Sequence, residues 1–465
     1  MAAETSRGTR VRSARRPGGL ALLLTAALCS GAGNAVTAVA MPWLVLEETG
    51  RASSAGLVAA AGSLPLLAGI AFGGIVVDRM GRRPSSIVSD ALSAGSVLLV
   101  AVLHLQQRLP LPLLVALVVA GAALDQSGIT AKLALVNRCA REGGVPAQRA
   151  NALYSAAVGL AVTCGPGLAG LLLGTAGVGW TLCAATVLSG LAAVVMSFLR
   201  SADAGREGEE PAPGSTAGPA GGLRYAVEGF VVVGRDPLLR LLVLLTFGFS
   251  VGSLPTQNIA LPRYFQVRGE PEVLGLLLLC MSAGGILGSL AYGALGDRLS
   301  RRRAFAGAVV ASTVLLLALA TLPSTVPLLL LGTAIGLVAG PITPVANTAI
   351  QNRVPSEALG RVLSVLTAAT CAAGPVGYLL GGPLIDRLGA GPAMAVFAST
   401  LVPVSVAALV APSLRGLDTP DPPAGPHRAP RPGERTGRGR TAPDETRRHP
   451  TAPDDTDDTA RRGSR

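Results

Sequence analysis

The chain has 465 residues; half are hydrophobic, 3% are aromatic and only 14% are charged. Soluble domains carry about 25% charge on average, so this composition excludes an ordinary soluble surface, and its hydrophobicity excludes a disordered chain. Six thinly spread cysteines, with no CxxC or Cys/His cluster, exclude a disulfide scaffold and a metal site.

The net charge of +12 could suit a nucleic-acid partner, but the charges avoid long stretches. Residues 150–199 and 304–352 contain no charged side chain. A spanning helix needs about 20 mostly apolar residues, and in lipid a helix satisfies every backbone group within itself. The expectation is therefore an all-α integral membrane protein in a lipid bilayer, with no nucleic-acid partner.

In chain order, residues 1–18 form a basic N-terminal tail, and twelve spans follow. They are predicted at about 19–46, 53–77, 85–106, 111–135, 150–175, 178–199, 238–262, 273–295, 304–322, 326–350, 362–384 and 391–413. The first apolar run imitates a secretory signal but is far longer than the usual 7–15 residues, so span 1 is expected to be retained. Six spans make an N-terminal bundle (19–200) and six a C-terminal bundle (238–413). Between them, 201–221 reads as a Gly/Pro/Ala linker and 222–237 as an interfacial amphipathic helix. The tail at 414–465 repeats Thr-Ala-Pro-Asp at 441 and 451, and its Pro/Arg/Asp/Thr composition predicts disorder.

Arginine sets the expected orientation. Between the tails, one set of loops carries 17 arginines and the alternate set five. The positive-inside rule places the first set, the linker and both termini in the cytoplasm, in a plasma membrane.

The chain also repeats. Gly74, Asp78, Arg79, Arg82 and Arg83 recur 219 residues later as Gly293, Asp297, Arg298, Arg301 and Arg302. Ala131, Ala134, Asn137 and Arg138 recur as Ala346, Ala349, Asn352 and Arg353, and Gly165-Pro166 as Gly374-Pro375. Three landmarks in one order argue for duplication, giving two parallel six-helix repeats.

With these motifs the chain resembles the major facilitator superfamily over about 19–413. Gly74 through Arg83, with Gly81 in place, matches that superfamily's loop signature G-x-x-x-D-R-x-G-R-R; the second copy has Ser300 at the glycine. The chain is most similar to bacterial drug-efflux members of the proton-antiport type. Gly165-Pro166 followed by Ala169-Gly170 partly matches an antiporter signature ending GP-x-x-GG. Asn34 stands where similar efflux proteins often have an acid, and Ser93 where many have an arginine. The resemblance implies that Asp78 and the motif arginines latch the two halves in an outward-facing state.

The residues themselves give candidates. Mid-span amides are Asn34, Gln126, Gln257, Asn258 and Asn347, on spans 1, 4, 7 and 10 only. Such groups avoid lipid, so they either line one wet cavity for a small-molecule substrate or bond between helices. Three ionisable groups lie within spans: Asp90, Asp125 and Lys132. Their repeat positions include Gly340 and Asn347 for Asp125 and Lys132, so the fold does not require the charges. Asp90 and Lys132 can pair as charge partners. That leaves Asp125 without a local partner, and Asp125 and Asp90 become the proton-coupling candidates; a static network locking spans 3 and 4 is the alternative. Asp78 and Asp297 end helices and can cap a neighbour, and Arg79, Arg82 and Arg83 can reach acids across the seam. Gly165, Pro166, Gly374 and Pro375 should bend or thin their helices.

There is no phosphate-binding Walker loop, no cofactor and no metal in this expectation. The function expected is a monomeric secondary transporter that exports an amphipathic, drug-like molecule by alternating access, coupled to protons. The alternatives are an importer of a sugar or other nutrient and a membrane-embedded lipid-modifying enzyme.

Overall fold

The computed structural model describes residues 18–199, 228–295 and 300–417. Among the described residues no strand occurs and eleven helices are long and apolar enough to cross a membrane. The longest, Ala147–Ser197, breaks at Gly177 (φ 79°, ψ 172°) and folds into two arms, giving twelve crossings. Only a residue without a Cβ adopts that φ cheaply.

The N-terminal half contains α1 (Gly18–Thr49), α2 (Ala52–Met80), α3 (Arg82–Leu105), α4 (Leu111–Ala122), α5 (Asp125–Gly143) and α6 (Ala147–Ser197). After a short helical stretch at 228–235 come α7 (Pro237–Pro255), a π segment (Thr256–Ala260) and α8 (Leu261–Arg268). The rest of this half is α9 (Pro271–Leu295), α10 (Arg301–Leu319), α11 (Thr325–Ala339), α12 (Ile342–Arg353), α13 (Ser356–Leu388) and α14 (Ala390–Val410). Large apolar side chains such as Val187 (67% exposed) and Leu330 (66%) face outward, as a lipid-facing surface requires.

Four spans differ from expectation, span 11 by running over Ser356–Leu388 rather than 362–384. Span 4 is not one helix over 111–135: it breaks at Ala123–Leu124 and continues as α5 to Gly143. Span 10 breaks at the repeat-related place, Gly340–Pro341. Span 7 runs past 262 and contains the π segment, because Pro262 has no N–H to give the carbonyl four residues earlier. The expected interfacial helix at 222–237 is described only from 228. There Glu228 pairs with Arg361 (2.7 Å) and Val233 packs in a cluster with Leu239, Ile350 and Val362. Of the tail expected at 414–465 only 414–417 are described. These correct the expected start of disorder: they continue a 3-10 turn (Pro412–Leu417), and Leu414 and Leu417 are buried with Leu238 and Phe305.

The molecule has two ends. The basal end holds the starts of α1 and α7 and the α2–α3 turn; the apical end holds the α1–α2 and α13–α14 turns. One core cluster draws on both halves, and includes Leu44 and Leu46 of one with Phe265, Leu274 and Ile385 of the other. The remaining clusters stay within one half each, around Leu23 and Met196, around Leu238 and Phe305, and around Val233 and Val362.

The motif loops act within each half. Arg83 donates to the carbonyls of Ser197 and Met196, at the last turn of α6. Its repeat mate Arg302 donates to Leu409, at the last turn of α14 (3.1 Å). In this arrangement Arg83 is held by the carbonyls left open at a helix C-terminus rather than by an acid across the seam. Gly81 sits at φ 84° between α2 and α3, whereas Ser300 has φ −57° and caps Arg303 N through its hydroxyl (3.3 Å). The two turns thus differ in geometry, which explains the serine in the second copy. The side chain of Asp78, and Asp297 and Arg298 entirely, lie outside the described residues.

Gly81→Ala is expected to destabilise the protein by about 1–2 kcal/mol through left-handed backbone strain, whereas Ser300→Gly should cost only a few tenths. Denaturation of both variants in detergent micelles checks this; equal losses would contradict the assigned turn geometries.

Candidate functional site: a cavity between the halves

The halves meet closely at the apical end. A Cβ on Gly170 of α6 would fall 2.5 Å from the Cα of Gly275 on α9 and 2.7 Å from the Pro271 carbonyl oxygen. A Cβ on Gly275 would fall 2.8 Å from the Pro166 carbonyl oxygen. On the other side of the seam, a Cβ on Gly382 of α13 would fall 2.6 Å from Ser53 Cα of α2, and Gly56 meets the Tyr378 carbonyl. Helix backbones in a membrane associate through such small-residue contacts. Gly165 packs on Ala35 and Gly374 near Ser63 (3.4 Å), so both Gly-Pro pairs lie at helix crossings.

Two polar contacts cross the same seam. Gln266 donates to the Trp43 carbonyl (3.1 Å). Asp386, at the end of α13, accepts from Ala52 N (2.7 Å) and Ser53 N (2.9 Å) at the start of α2. Arg51, the N-cap of α2, makes no side-chain cap. The opposite half therefore caps this helix, placing a carboxylate on its positive end. Sequence reasoning missed Asp386 because it ended span 11 at 384. The available signal was an acid in the last turn of a helix, where its own dipole disfavours it.

Behind this closure lies a cavity of about 390 Å³. It is bounded by α1 to α5 of one half and by Asn258 of the π segment and Tyr378 of α13 from the other. Asn34 and Asn258 line it, as does Asp125; Ser93, Ser96 and Thr37 add hydroxyls to a mostly apolar wall. Three expected lining residues are absent from its wall. Gln126 instead packs on Gly69 of α2, where an added Cβ would fall 2.6 Å from the Gln126 Cβ. Gln257 adjoins Asn258 in the π segment but is not part of the wall. Asn347 sits on α12, beyond the Gly340–Pro341 break.

The charges divide into two groups. Asp90 and Lys132, each 4% exposed, pair at 2.7 Å between Lys132 Nζ and Asp90 Oδ1. Ser30 of α1, which sequence reasoning did not single out, donates to Asp90 Oδ1 (2.8 Å) and accepts from Lys132 Nζ (2.8 Å). This triad ties α1, α3 and α5 together. Asp90 Oδ2 is buried with no hydrogen-bond partner. Asp125 is separate: it is the first residue of α5, half-buried, and faces the cavity. The helix restarts after the break at Leu124 (φ −111°, ψ 0°) with no side-chain cap, and a helix start leaves its first N–H groups without intrahelical partners.

Helices of this length, in two repeats that both reach one cavity, define a multi-pass membrane transporter rather than an enzyme. The chain belongs to the Major Facilitator Superfamily, whose family model matches residues 23–271 and 256–450. It is 37% identical over 407 residues to the multidrug efflux pump Tap of Mycolicibacterium fortuitum, covering 86% of this chain and 97% of that one. It is 34% identical over 400 residues to the Tap pump of Mycobacterium tuberculosis (strain ATCC 25618 / H37Rv), covering 85% and 94%. Among solved structures, a mutant of the nucleoside transporter NupG shares the fold with a TM-score of 0.71 at 10% identity, over 84% of this chain and 98% of that one. A D-xylose–proton symporter does so at 0.63 and 15% identity, over 85% and 98%.

Lys132→Met alone should cost about 3–5 kcal/mol, because it strands the Asp90 carboxylate in the interior. Combining it with Asp90→Val, the residue type of the repeat-related Val309, should restore most of that loss. A double-mutant cycle by denaturation in detergent measures the coupling; additive losses would show that the pair does not act as a unit.

Proposed function

We propose that the protein exports small amphipathic, drug-like molecules across the plasma membrane by alternating access, driven by inward proton flow. The observation that carries this reading is the mostly apolar cavity in the N-terminal half, faced by Asn258 and Tyr378 of the other half, lying below the apical backbone contacts and holding one acid, Asp125, outside the buried ion pair. Its volume is in the range of small-molecule sites. The names of the Tap relatives support export of drugs over uptake of a nutrient.

In this reading the basal end is cytoplasmic, both termini lie there, and the chain works as a monomer. Asp125 carries the proton, with Asp90 the second candidate. Binding of substrate or proton at Asp125 changes the charge beside the seam, and release follows when the halves rock about it. Asp78 and the motif loops would latch the basal end when the apical end opens, taking over from the Asp386 cap.

The test is uptake of lipophilic cations and antibiotics into inverted vesicles, with and without a pH gradient. Wild type should accumulate substrate only with the gradient. Asp125→Asn should lose at least about tenfold in rate, worth ~1.4 kcal/mol. Transport indifferent to the gradient would remove proton coupling. Normal transport by Asp125→Asn would move the proton site elsewhere and leave the transporter reading intact.

A further inference from the structure

One helix carries a row of polar side chains of which the cavity accounts for only Ser93 and Ser96. On α3, Ser85, Ser86, Ser89, Asp90, Ser93 and Ser96 are all buried, none more than 9% exposed. Their spacing follows the helical repeat and keeps them on one stripe. Ser85 lies in the first turn, at the basal end, and Ser96 at the cavity, about 16 Å further along the axis at 1.5 Å per residue. The Asp90–Lys132–Ser30 centre lies midway.

The duplicated half supplies a comparison within the same molecule. At the 219-residue offset, Ser85, Ser86, Ser89, Asp90 and Ser96 correspond to Ala304, Phe305, Ala308, Val309 and Leu315; only Ser312 retains the hydroxyl of Ser93. Phe305, Ala308 and Val309 are as buried as their counterparts. Apart from Ser312, whose buried Oγ also has no partner in the protein, an apolar face therefore suffices to pack this helix. Burying hydroxyls and a carboxylate in its place is costly without partners.

Three oxygens along the stripe have none in the protein: Asp90 Oδ2, Ser85 Oγ and Ser86 Oγ. Buried oxygens of this kind are normally satisfied by ordered water. Close packing explains part of the pattern, since Ser89 and Ser96 lie against Gly128 and Gly121. It does not explain Ser85, Ser86 or the acid. The titratable groups around the stripe are few. Lys132 and Asp125 come from α5 and the buried Tyr154 from α6, while α4 contributes none. Arg83, at the foot of α3, is bound to the end of α6, and Arg138 and Glu142 pair with each other at the foot of α5.

We propose that this stripe is a water-filled proton route through the N-terminal half, running from Asp125 past the Asp90–Lys132–Ser30 centre and along Ser86 and Ser85 to the basal end. It rests on the proton-coupled reading above and gives the proton its own path. A substrate filling the cavity would otherwise block the exit. The proton leaves the Asp125 carboxyl through water, and an O–H bond forms at Asp90 Oδ2. Lys132 remains an ammonium bonded to Ser30. The Asp90 O–H then breaks, passing its proton to water held by Ser86 and Ser85 and on to the basal solution. Asp90 returns to carboxylate, and one proton has moved with no other change.

The experiment uses the full chain in proteoliposomes with a trapped pH dye, and as probe a lipophilic cation that the wild type transports. Two rates are read: substrate counterflow without a pH gradient, and proton movement driven by substrate. Ser85→Ala/Ser86→Ala should keep counterflow within about twofold and slow proton movement at least about tenfold. Ser85→Thr/Ser86→Thr, which keeps the hydroxyls, should restore most of it, and Ser312→Ala in the other half should leave both rates unchanged. Normal proton movement in the alanine pair overturns the route while leaving proton coupling intact. Equal slowing by alanine and threonine, or joint loss of counterflow and proton movement, shows that the serines serve packing and also overturns it. Absence of proton movement in the wild type would instead sink the coupled reading itself.

Discussion

Two helix backbones can touch inside a membrane only where side chains are absent, and the apical seam depends on that constraint. Lipid gives helices no hydrophobic reason to associate, so the halves must be held by close packing and a few polar contacts. Gly170 and Gly275 bring α6 and α9 together at backbone distance, and Gly56 and Gly382 do the same for α2 and α13. Asp386 adds a charged cap that spans the halves. These contacts are numerous but individually modest, which suits an interface that must separate in each cycle. The core clusters near the base lie within single halves, so each half can move as a body.

The duplication separates scaffold from chemistry. Where the halves agree, the residues serve the fold: Arg83 and Arg302 each close the last helix of their own half. Both halves also break the fourth helix of the repeat, at Leu124 and at Gly340–Pro341. At three places where the halves differ, the N-terminal half has the ionisable residue. Asp90, Asp125 and Lys132 face Val309, Gly340 and Asn347 across the repeat. The buried pair is an expensive feature that the second half shows to be dispensable for folding, which points to a role beyond packing.

Much of this was legible in the sequence. Apolar runs located the twelve crossings, and the Gly177 turn was marked by glycines at 177 and 179. The fixed spacing of the Asp and Arg motifs disclosed the duplication. The Asp90–Lys132 pairing followed from two charges entering adjacent spans from one side. Other features depended on tertiary placement. No local pattern told Gln126 to pack on Gly69 rather than face the cavity, and helical period alone could not distinguish Asn258 from Gln257 across a π segment. Arg83 could not be assigned to a helix end without knowing which end lay near it. Ser30 was hidden because a serine in an apolar run carries no signal until its neighbours are known.

The most direct test of the account is paired distance measurement between spin labels on the exposed positions Arg108 and Val267 at the apical end, and Arg141 and Gln351 at the basal end. The protein would be held in lipid nanodiscs across pH, with and without a transported cation. If the halves rock about the cavity, conditions that lengthen the apical distance must shorten the basal one, and Asp386→Asn must enlarge the apically open population. Distances at both ends that stay fixed under all conditions, or that lengthen together, would contradict it.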